Sequence, residues 1–593
     1  MAHLVLTIDS DSDRRKQFVA RALASLQSLP GLRVAQAEIG QLAVVWAHGI
    51  SAPQSCHLTT DAFALLLGYA VGDTGKWLDA ADLHTHWISA QRPDEVFDGY
   101  HAAVAYSPAD GLFLGVDILG LFPMYYAHCG AALVVGSSPE LFAAHPQFQS
   151  RLDVGGLVGI FLTNGLMGGQ ALLQGVRRLG AGCQLRWNAD AGTREVETFG
   201  LTPQNPPFQC SAESARELAG AGLLRAIRRH RPPHSRSTLM LSGGLDSRLM
   251  AGYLCSENIT DSAVCLGRST DLELNVGSRV AAALGMKVNR EPSGGREAGW
   301  LESGQRVARW EQLAGGFSHL EMAAAGKTVG QAAPMFWSGF ALDGVLAAEE
   351  SWFLGETHGH FFQRLNRWGL TPEKLKQLLR VPQAGELIQG QLATMQHEFE
   401  RPEESPAQSF FRMILATRVR FHIGTVLHRL SFYSWPLLPV LDRQLLAQQY
   451  NLPIELLLFR RLEKELLRHE FPQLSAIPRE HNSFWLEPLQ PETLFSKKTA
   501  RLAKRLRRWY WERWRKIEPR RYYRCYDLNQ PQWRAVRVEA EKYRGQLDEW
   551  LDRDLVNTLL PRPQFEFQFR DPFSEGAVPR MLLGLSLWST PRA

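Results

Sequence analysis

The sequence predicts an α/β protein in which a β-rich first part precedes a doubly wound parallel sheet with helical additions. Three observations carry this. Up to about residue 200, short apolar runs separated by Gly, Pro, Asn and Asp favour strands. From residue 208, helix-period segments alternate with short apolar strands, the pattern of a parallel sheet covered by helices. Between the two, Leu201–Pro207 carries three prolines, which resist both helix and ladder.

Taken in order, Met1–Asp9 reads as a first strand and lacks the charged, apolar and cleavage regions of a signal peptide. Gln41–Trp46, Leu112–Val116 and Ala132–Gly136 read as further strands. An amphipathic helix starts at Ser211, with Leu218, Leu223, Leu224 and Ile227 on one side and Arg225, Arg228 and Arg229 on another. A buried strand is expected over Thr238–Ser242, a second over Ser262–Gly267 and a third around Lys287–Arg290. The helix between the last two is expected over Val276–Leu284, closed by Gly285. Met335–Trp337 is strand-like, and most of 360–475 reads as helix.

Bulk properties narrow the class. The chain has 593 residues, 45% hydrophobic and 21% charged, as in ordinary globular proteins. A net charge of +5 is too small for a chain-wide nucleic-acid binder. No apolar run reaches the ~18 residues of a membrane-spanning helix. Seven cysteines without a CxxC pair indicate neither a disulfide framework nor a zinc site, so a reducing, ATP-containing cytoplasm is the expected setting.

The most informative stretch is Ser242-Gly243-Gly244-Leu245-Asp246-Ser247, set between an apolar strand and a helix-compatible segment. Glycine tolerates positive φ, and a sharp turn into a helix N-terminus aims backbone N–H groups at an anion such as pyrophosphate. Asp246 adds a hard carboxylate suited to Mg²⁺. The Gly-Lys-Ser/Thr ending of a Walker loop is absent.

With that loop, the chain resembles the asparagine synthetase family, relatives of β-lactam synthetases and lasso-peptide cyclases. Asp98–Tyr106 is similar to the family's DG-x-FA strand. Asp117–Tyr126 is similar to D-x-x-G-x-x-P-L-Y-Y, and Gly136–Leu141 to its F-A-S-E segment. The SGGxDS loop, Ser269-Thr270-Asp271, Trp337–Gly344 and Leu438–Asp442 follow in the family's order. The resemblance implies an Ntn-hydrolase-like αββα sandwich over 1–200, a degenerate glutamine amidotransferase. It further implies an adenine nucleotide α-hydrolase-like synthetase domain over 208–490 and a basic aromatic helical extension over 491–593. ATP and Mg²⁺ are the implied cofactors. By resemblance, Ser242, Gly243, Gly244, Asp246 and Ser247 hold pyrophosphate, and Asp246 and Asp343 ligate the metal. Leu241, Val264, Ser338 and Gly339 lie on the nucleoside side.

Several positions depart from the family. The second residue is Ala2, where glutamine-using members carry a cysteine nucleophile, and the first cysteine is Cys56. Glutaminase activity at this terminus is therefore not expected. Arg248 replaces a small hydroxyl residue and reads either as a helix-face arginine or as a fork for carboxylate or phosphate in the catalytic set. Phe340 and Trp435 replace two carboxylates, which implies a larger, less polar substrate than aspartate. Lys464, Arg468 and Arg479 are the candidates for the family's pyrophosphate-binding lysine, and each also reads as a surface cation. His358 and His360 read as a loop or helix cap, because no third metal ligand supports them. Gly165–Gly169 lacks the βαβ context of a dinucleotide fingerprint.

The segment Lys497–Arg524 interleaves lysines and arginines with Trp509, Tyr510, Trp511, Trp514, Tyr522 and Tyr523. It reads as a long amphipathic helix packing its aromatics on the core, and it also fits an anionic partner.

The expected function is an ATP-dependent, AMP- and pyrophosphate-forming amide-bond synthetase. It would join a carboxylate, small molecule or peptide, to an amine not made by its own N-terminal domain, in peptide, metabolite or saccharide biosynthesis. The alternative is a nucleotide-binding regulatory or scaffold protein whose catalysis has decayed. The resemblance leaves a homodimer open.

Overall fold

A computed structural model describes residues 2–204, 208–290, 299–346, 357–481 and 520–590, with 485–487, 489, 502, 505–506, 509–510 and 513–514. The first 200 residues form two six-stranded antiparallel sheets. One runs Arg177–Arg178, Tyr125–Cys129, Ala132–Gly136, Ala2–Ile8, Leu42–Gly49, Leu32–Ile39. The other runs Gly192–Glu197, Cys183–Asn188, Gly111–Val116, His101–Ser107, Phe63–Gly68, Gln54–Leu58.

Period-2 alternation sorts their side chains into layers. Leu4, Leu6, Leu42 and Val44 face Phe63, Leu65, Val104 and Leu114 between the sheets. The intervening Val5, Ala43 and Val45 cover Phe18, Val19 and Ala22 of the helix Ser12–Gln27. Beyond the second sheet, Ala64, Leu66, Ala103 and Ala105 pack on Leu83 and Trp87 of the helical stretch beginning at Ala80. The order is helix, sheet, sheet, helix, the αββα arrangement.

The Asp117–Tyr126 motif has a local reason. The Asp117 carboxylate accepts hydrogen bonds from the backbone N–H groups of Leu119 (3.2 Å), Leu121 (2.9 Å) and Phe122 (2.7 Å), fixing the turn between two strands. Burial nevertheless lifts its pKa to about 6.

The helix expected from Ser211 spans Ala212–Arg229, and Ser211 caps it by accepting from Ser214 N at 3.1 Å. A five-stranded parallel sheet follows: Lys287–Arg290, Ser262–Cys265, Ser237–Met240, Met335–Trp337, Trp435–Leu437. In chain order these are strands three, two, one, four and five, so the winding reverses between the first and fourth. The helix expected over Val276–Leu284 begins earlier, spanning Leu272–Ala283, and Gly285 closes it at φ +67°.

The C-terminal helices Pro531–Glu541 and Ala577–Trp588 pack on Trp300–Arg309 through Trp533, Val536, Met581 and Val307. That core also contains Phe161 and Leu162 of the N-terminal half. The described members of the 497–524 segment between 502 and 514 depart from the expected core packing. Leu502, Leu506, Trp509, Tyr510 and Trp514 are exposed, Trp514 at 71%. Arg524 instead turns inward to Asp271, at 2.7 Å. Lys497, Lys498, Trp511 and the other remaining members up to 519 lie outside the described residues. Among the described residues no helix is long and apolar enough to cross a membrane.

The two halves share one core, which runs from Leu6 and Val104 through Tyr100 and Trp435 to Leu239 and Val264. Polar contacts reinforce it. Asp98 accepts from Arg443 N (3.1 Å) and Nε (2.9 Å) and pairs with Arg229 at 2.8 Å. The Tyr69 hydroxyl accepts from Leu438 N at 3.1 Å and lies 2.9 Å from His230 Nδ1.

Candidate functional site

Where the winding of a doubly wound sheet reverses, the loops leaving two neighbouring strands diverge and open a crevice at the strands' carboxyl ends. Here those loops are Leu241–Gly244 and Ser338–Ala341. The first leads into the helix Leu245–Ser256, with Gly244 at its N-cap. Two hydroxyls brace the turn. Ser242 N donates to Ser247 Oγ (3.1 Å), the two Oγ atoms are 2.9 Å apart, and Gly244 N donates to Ser242 Oγ (3.1 Å). The N–H groups of Gly243, Leu245 and Asp246 make no hydrogen bond among the described residues. They are the donors an anion would meet, at the positive end of a helix.

The glycines serve this turn differently from the sequence expectation. Neither Gly243 nor Gly244 has positive φ. Gly243 is required by close approach, because a Cβ there would lie 2.8 Å from Glu480 Cβ and 3.1 Å from Val276 Cβ. A Cβ on Gly244 would meet only Ser242 Oγ, at 3.3 Å.

The second loop presses on the first. A Cβ on Gly339 would fall 2.8 Å from Ser247 N and 2.9 Å from the Asp246 carbonyl carbon. Ser338 is buried; its N donates to Leu437 O (3.3 Å) and its Oγ accepts from Phe340 N (3.0 Å). Ala341, left-handed at φ +70°, starts the short helix Leu342–Val345, which carries Asp343 on its exposed side. Of the expected nucleoside contacts, Leu241 N and Val264 O are already spent on each other, at 2.9 Å.

Asp246 pairs with a residue the sequence did not single out, and Asp343 acts on that residue electrostatically. Arg460 Nη2 donates to Asp246 Oδ1 at 2.6 Å and Arg460 Nε to Glu463 Oε2 at 2.7 Å, while Asp343 acts on the same guanidinium. Burial works to lower the Arg460 pKa, but Asp246, Glu463 and Asp343 raise it well above normal. Glu463 is fully buried, and its pKa is raised by that burial and by neighbouring Asp246 against the pull of Arg460. Phe459 and Arg460 both have φ +58°. For side-chain-bearing residues this left-handed region costs about 1–2 kcal/mol each.

The metal expectation does not fit these donors. Asp246 is paired to a guanidinium that a second carboxylate anchors. Among the described residues no group of three His, Cys, Asp or Glu side chains could hold a metal ion.

Other candidates are placed differently from expectation. Arg248 is no fork for substrate. Wholly buried, it donates to the carbonyls of Leu474 (3.0 Å), Ile477, Gly243 (3.2 Å) and Pro478 (3.3 Å), and burial lowers its pKa to about 10. Trp435 does not line a substrate pocket either. Its indole packs on Tyr100 and Phe122 at centroid distances of 5.4 and 6.4 Å, and Nε1 donates to Tyr100 O. Phe340, half-buried against the core, alone keeps its place at the crevice.

Among the three cations, Arg479 adjoins the loop, since the next residue's N–H donates to Gly243 O at 3.2 Å. Lys464 and Arg468 line a separate groove of about 380 Å³ with Glu455, Phe459 and Arg461. His358 opens the helix His358–Asn366, and His360 Nδ1 lies 2.9 Å from Oγ1 of Thr357, the residue before that helix.

No family model matches the chain, and no curated protein matches it. Among solved structures, similarity is found to one titled the structure of the allosteric regulatory enzyme of purine biosynthesis. It has 11% identity and a TM-score of 0.22, covering 41% of this chain and 60% of that one. A glutamine phosphoribosylpyrophosphate amidotransferase from B. subtilis, complexed with ADP and GMP, has 11% identity and a TM-score of 0.22. There the match covers 40% of this chain and 60% of the other. The chain thus spans three fifths of each, and overlap this slight carries no argument about activity.

Proposed function

We propose that this chain is an ATP-dependent, AMP-forming amide-bond synthetase. A carboxylate oxygen attacks the α-phosphorus of ATP and the bond to pyrophosphate breaks. The acyl-adenylate is then attacked at its carbonyl by an amine supplied from elsewhere, releasing AMP. One observation supports this above others: the braced Ser242–Ser247 turn aims unspent N–H groups of Gly243, Leu245 and Asp246 into the crevice where the sheet's winding reverses. Donors fixed in advance stabilise the charge that develops on a departing pyrophosphate. The N-terminal half, with Ala2 leading its central strand, serves as a wall rather than as an ammonia source.

The test is pyrophosphate release from ATP over a panel of carboxylates and amines, with Gly243→Val as control. Release that depends on a particular carboxylate and is lost in the variant is the expected result. The pairing of Asp246 with Arg460 favours a second reading, a nucleotide-binding scaffold without turnover. ATP binding without release across the panel, unchanged by Asp246→Ala, would support that reading instead.

A further inference from the structure

We propose that Arg460 is the crevice's own counter-charge, meeting pyrophosphate directly where the family resemblance would place a metal ion on Asp246. This rests on the polyphosphate reading above. Three features carry it. The guanidinium reaches the first turn of the loop helix, with Nη2 2.6 Å from Asp246 Oδ1. Its Nε is anchored 2.7 Å from Glu463 Oε2, a carboxylate fully removed from solvent. Its Nη1 makes no hydrogen bond among the described residues, so part of the fork is unspent.

An arginine presents a planar fork that matches phosphate oxygens two at a time. Mg²⁺, by contrast, needs several oxygen ligands free of other cations. Asp246 paired with Arg460 has little charge to offer a metal. The same pair holds the guanidinium one turn from the N–H groups of Gly243, Leu245 and Asp246. Glu463 keeps the arginine from swinging away when Asp246 releases it. In the unloaded site Arg460 rests on Asp246; an arriving pyrophosphate takes over Nη1 and Nη2 while Nε stays on Glu463.

The experiment is calorimetric binding of inorganic pyrophosphate to the full chain, in EDTA and in excess Mg²⁺. The proteins are the parent, Arg460→Lys and Arg460→Gly. The glycine variant removes the fork and relieves the φ of +58°, but it leaves buried Glu463 without its cation, so circular dichroism checks folding and Arg460→Lys, which keeps the charge, is the second variant. Parent protein should bind in EDTA, and added Mg²⁺ should change its affinity less than about threefold. Arg460→Gly should lose at least about tenfold, the scale of a charge-assisted pair of hydrogen bonds. Arg460→Lys should fall between. Binding that requires Mg²⁺ and is the same in Arg460→Gly overturns the arginine assignment and leaves the phosphate site standing. Absence of pyrophosphate binding in every form and both conditions overturns the site itself, and the assignment with it.

Discussion

Gly339 lies against the backbone of Ser247, so that a single added methyl would stand 2.8 Å from its nitrogen. The two loops of the crevice are therefore in backbone contact, with no side chain between them to give way. Gly339→Ala should push the Ser242–Ser247 turn out of shape. The expected cost is about 1–3 kcal/mol, read as roughly tenfold weaker ATP binding by calorimetry. Retention of full affinity would show that the loops move independently.

Arg248 should behave as a structural clamp. Removing it in Arg248→Met takes the donor from the carbonyls of Ile477 and Pro478 and leaves Gly243 O with Glu480 N and Leu474 O with Ile477 N. Urea unfolding should show a loss of about 2–4 kcal/mol at unchanged slope. Arg248→Lys should recover only part of this, since an ammonium lacks the planar fork. An Arg248→Met protein of full stability but impaired ATP binding would contradict the clamp.

Glu480 gives the site a pH dependence. Burial first, and neighbouring Glu273 second, raise its pKa from 4.5 to about 7 against the pull of Arg520 and Arg479. The folded form therefore holds this proton more tightly than the unfolded chain. The resulting stability is present in full below about 4.5 and is lost as pH rises through about 7. Between pH 5 and 8 the parent should lose on the order of 1–3 kcal/mol relative to Glu480→Gln. Parallel pH–stability curves for the two proteins would refute this.

Trp435 should matter for cohesion rather than for substrate choice. Its ring fills the space above Gly68, where even a Cβ would come within 2.7 Å of Cζ2. Trp435→Ala should cost about 3–5 kcal/mol. ATP affinity of the folded fraction should be unaltered.

The sequence showed strand-loop-helix punctuation clearly, because the apolar run ending before Ser242, the Gly243-Gly244 break and the apolar helix that follows are all local signals. The early strands were legible for the same reason: alternation at Leu4, Leu6 and Leu42, Val44 is a local signal. Arg460 and Glu463 were not legible. An i,i+3 arginine–glutamate pair on a helix is ordinarily solvated, and nothing local says that this one is buried beside Asp246, 214 residues away. The direction of a side chain was equally hidden. Arg248 and Trp435 occupy positions next to the crevice in the chain, but their heads turn to the 474–478 carbonyls and to Tyr100. Which way a large residue leans is settled by distant packing, and a single sequence does not record it.

The core shared by the two halves has a thermal consequence. Heating should produce one calorimetric transition for the N-terminal sandwich and the parallel sheet together, not two, because melting either exposes the apolar face of the other. Excision of the sandwich would leave Trp435, Leu437 and Leu438 facing water, so the parallel sheet should not stay folded without it.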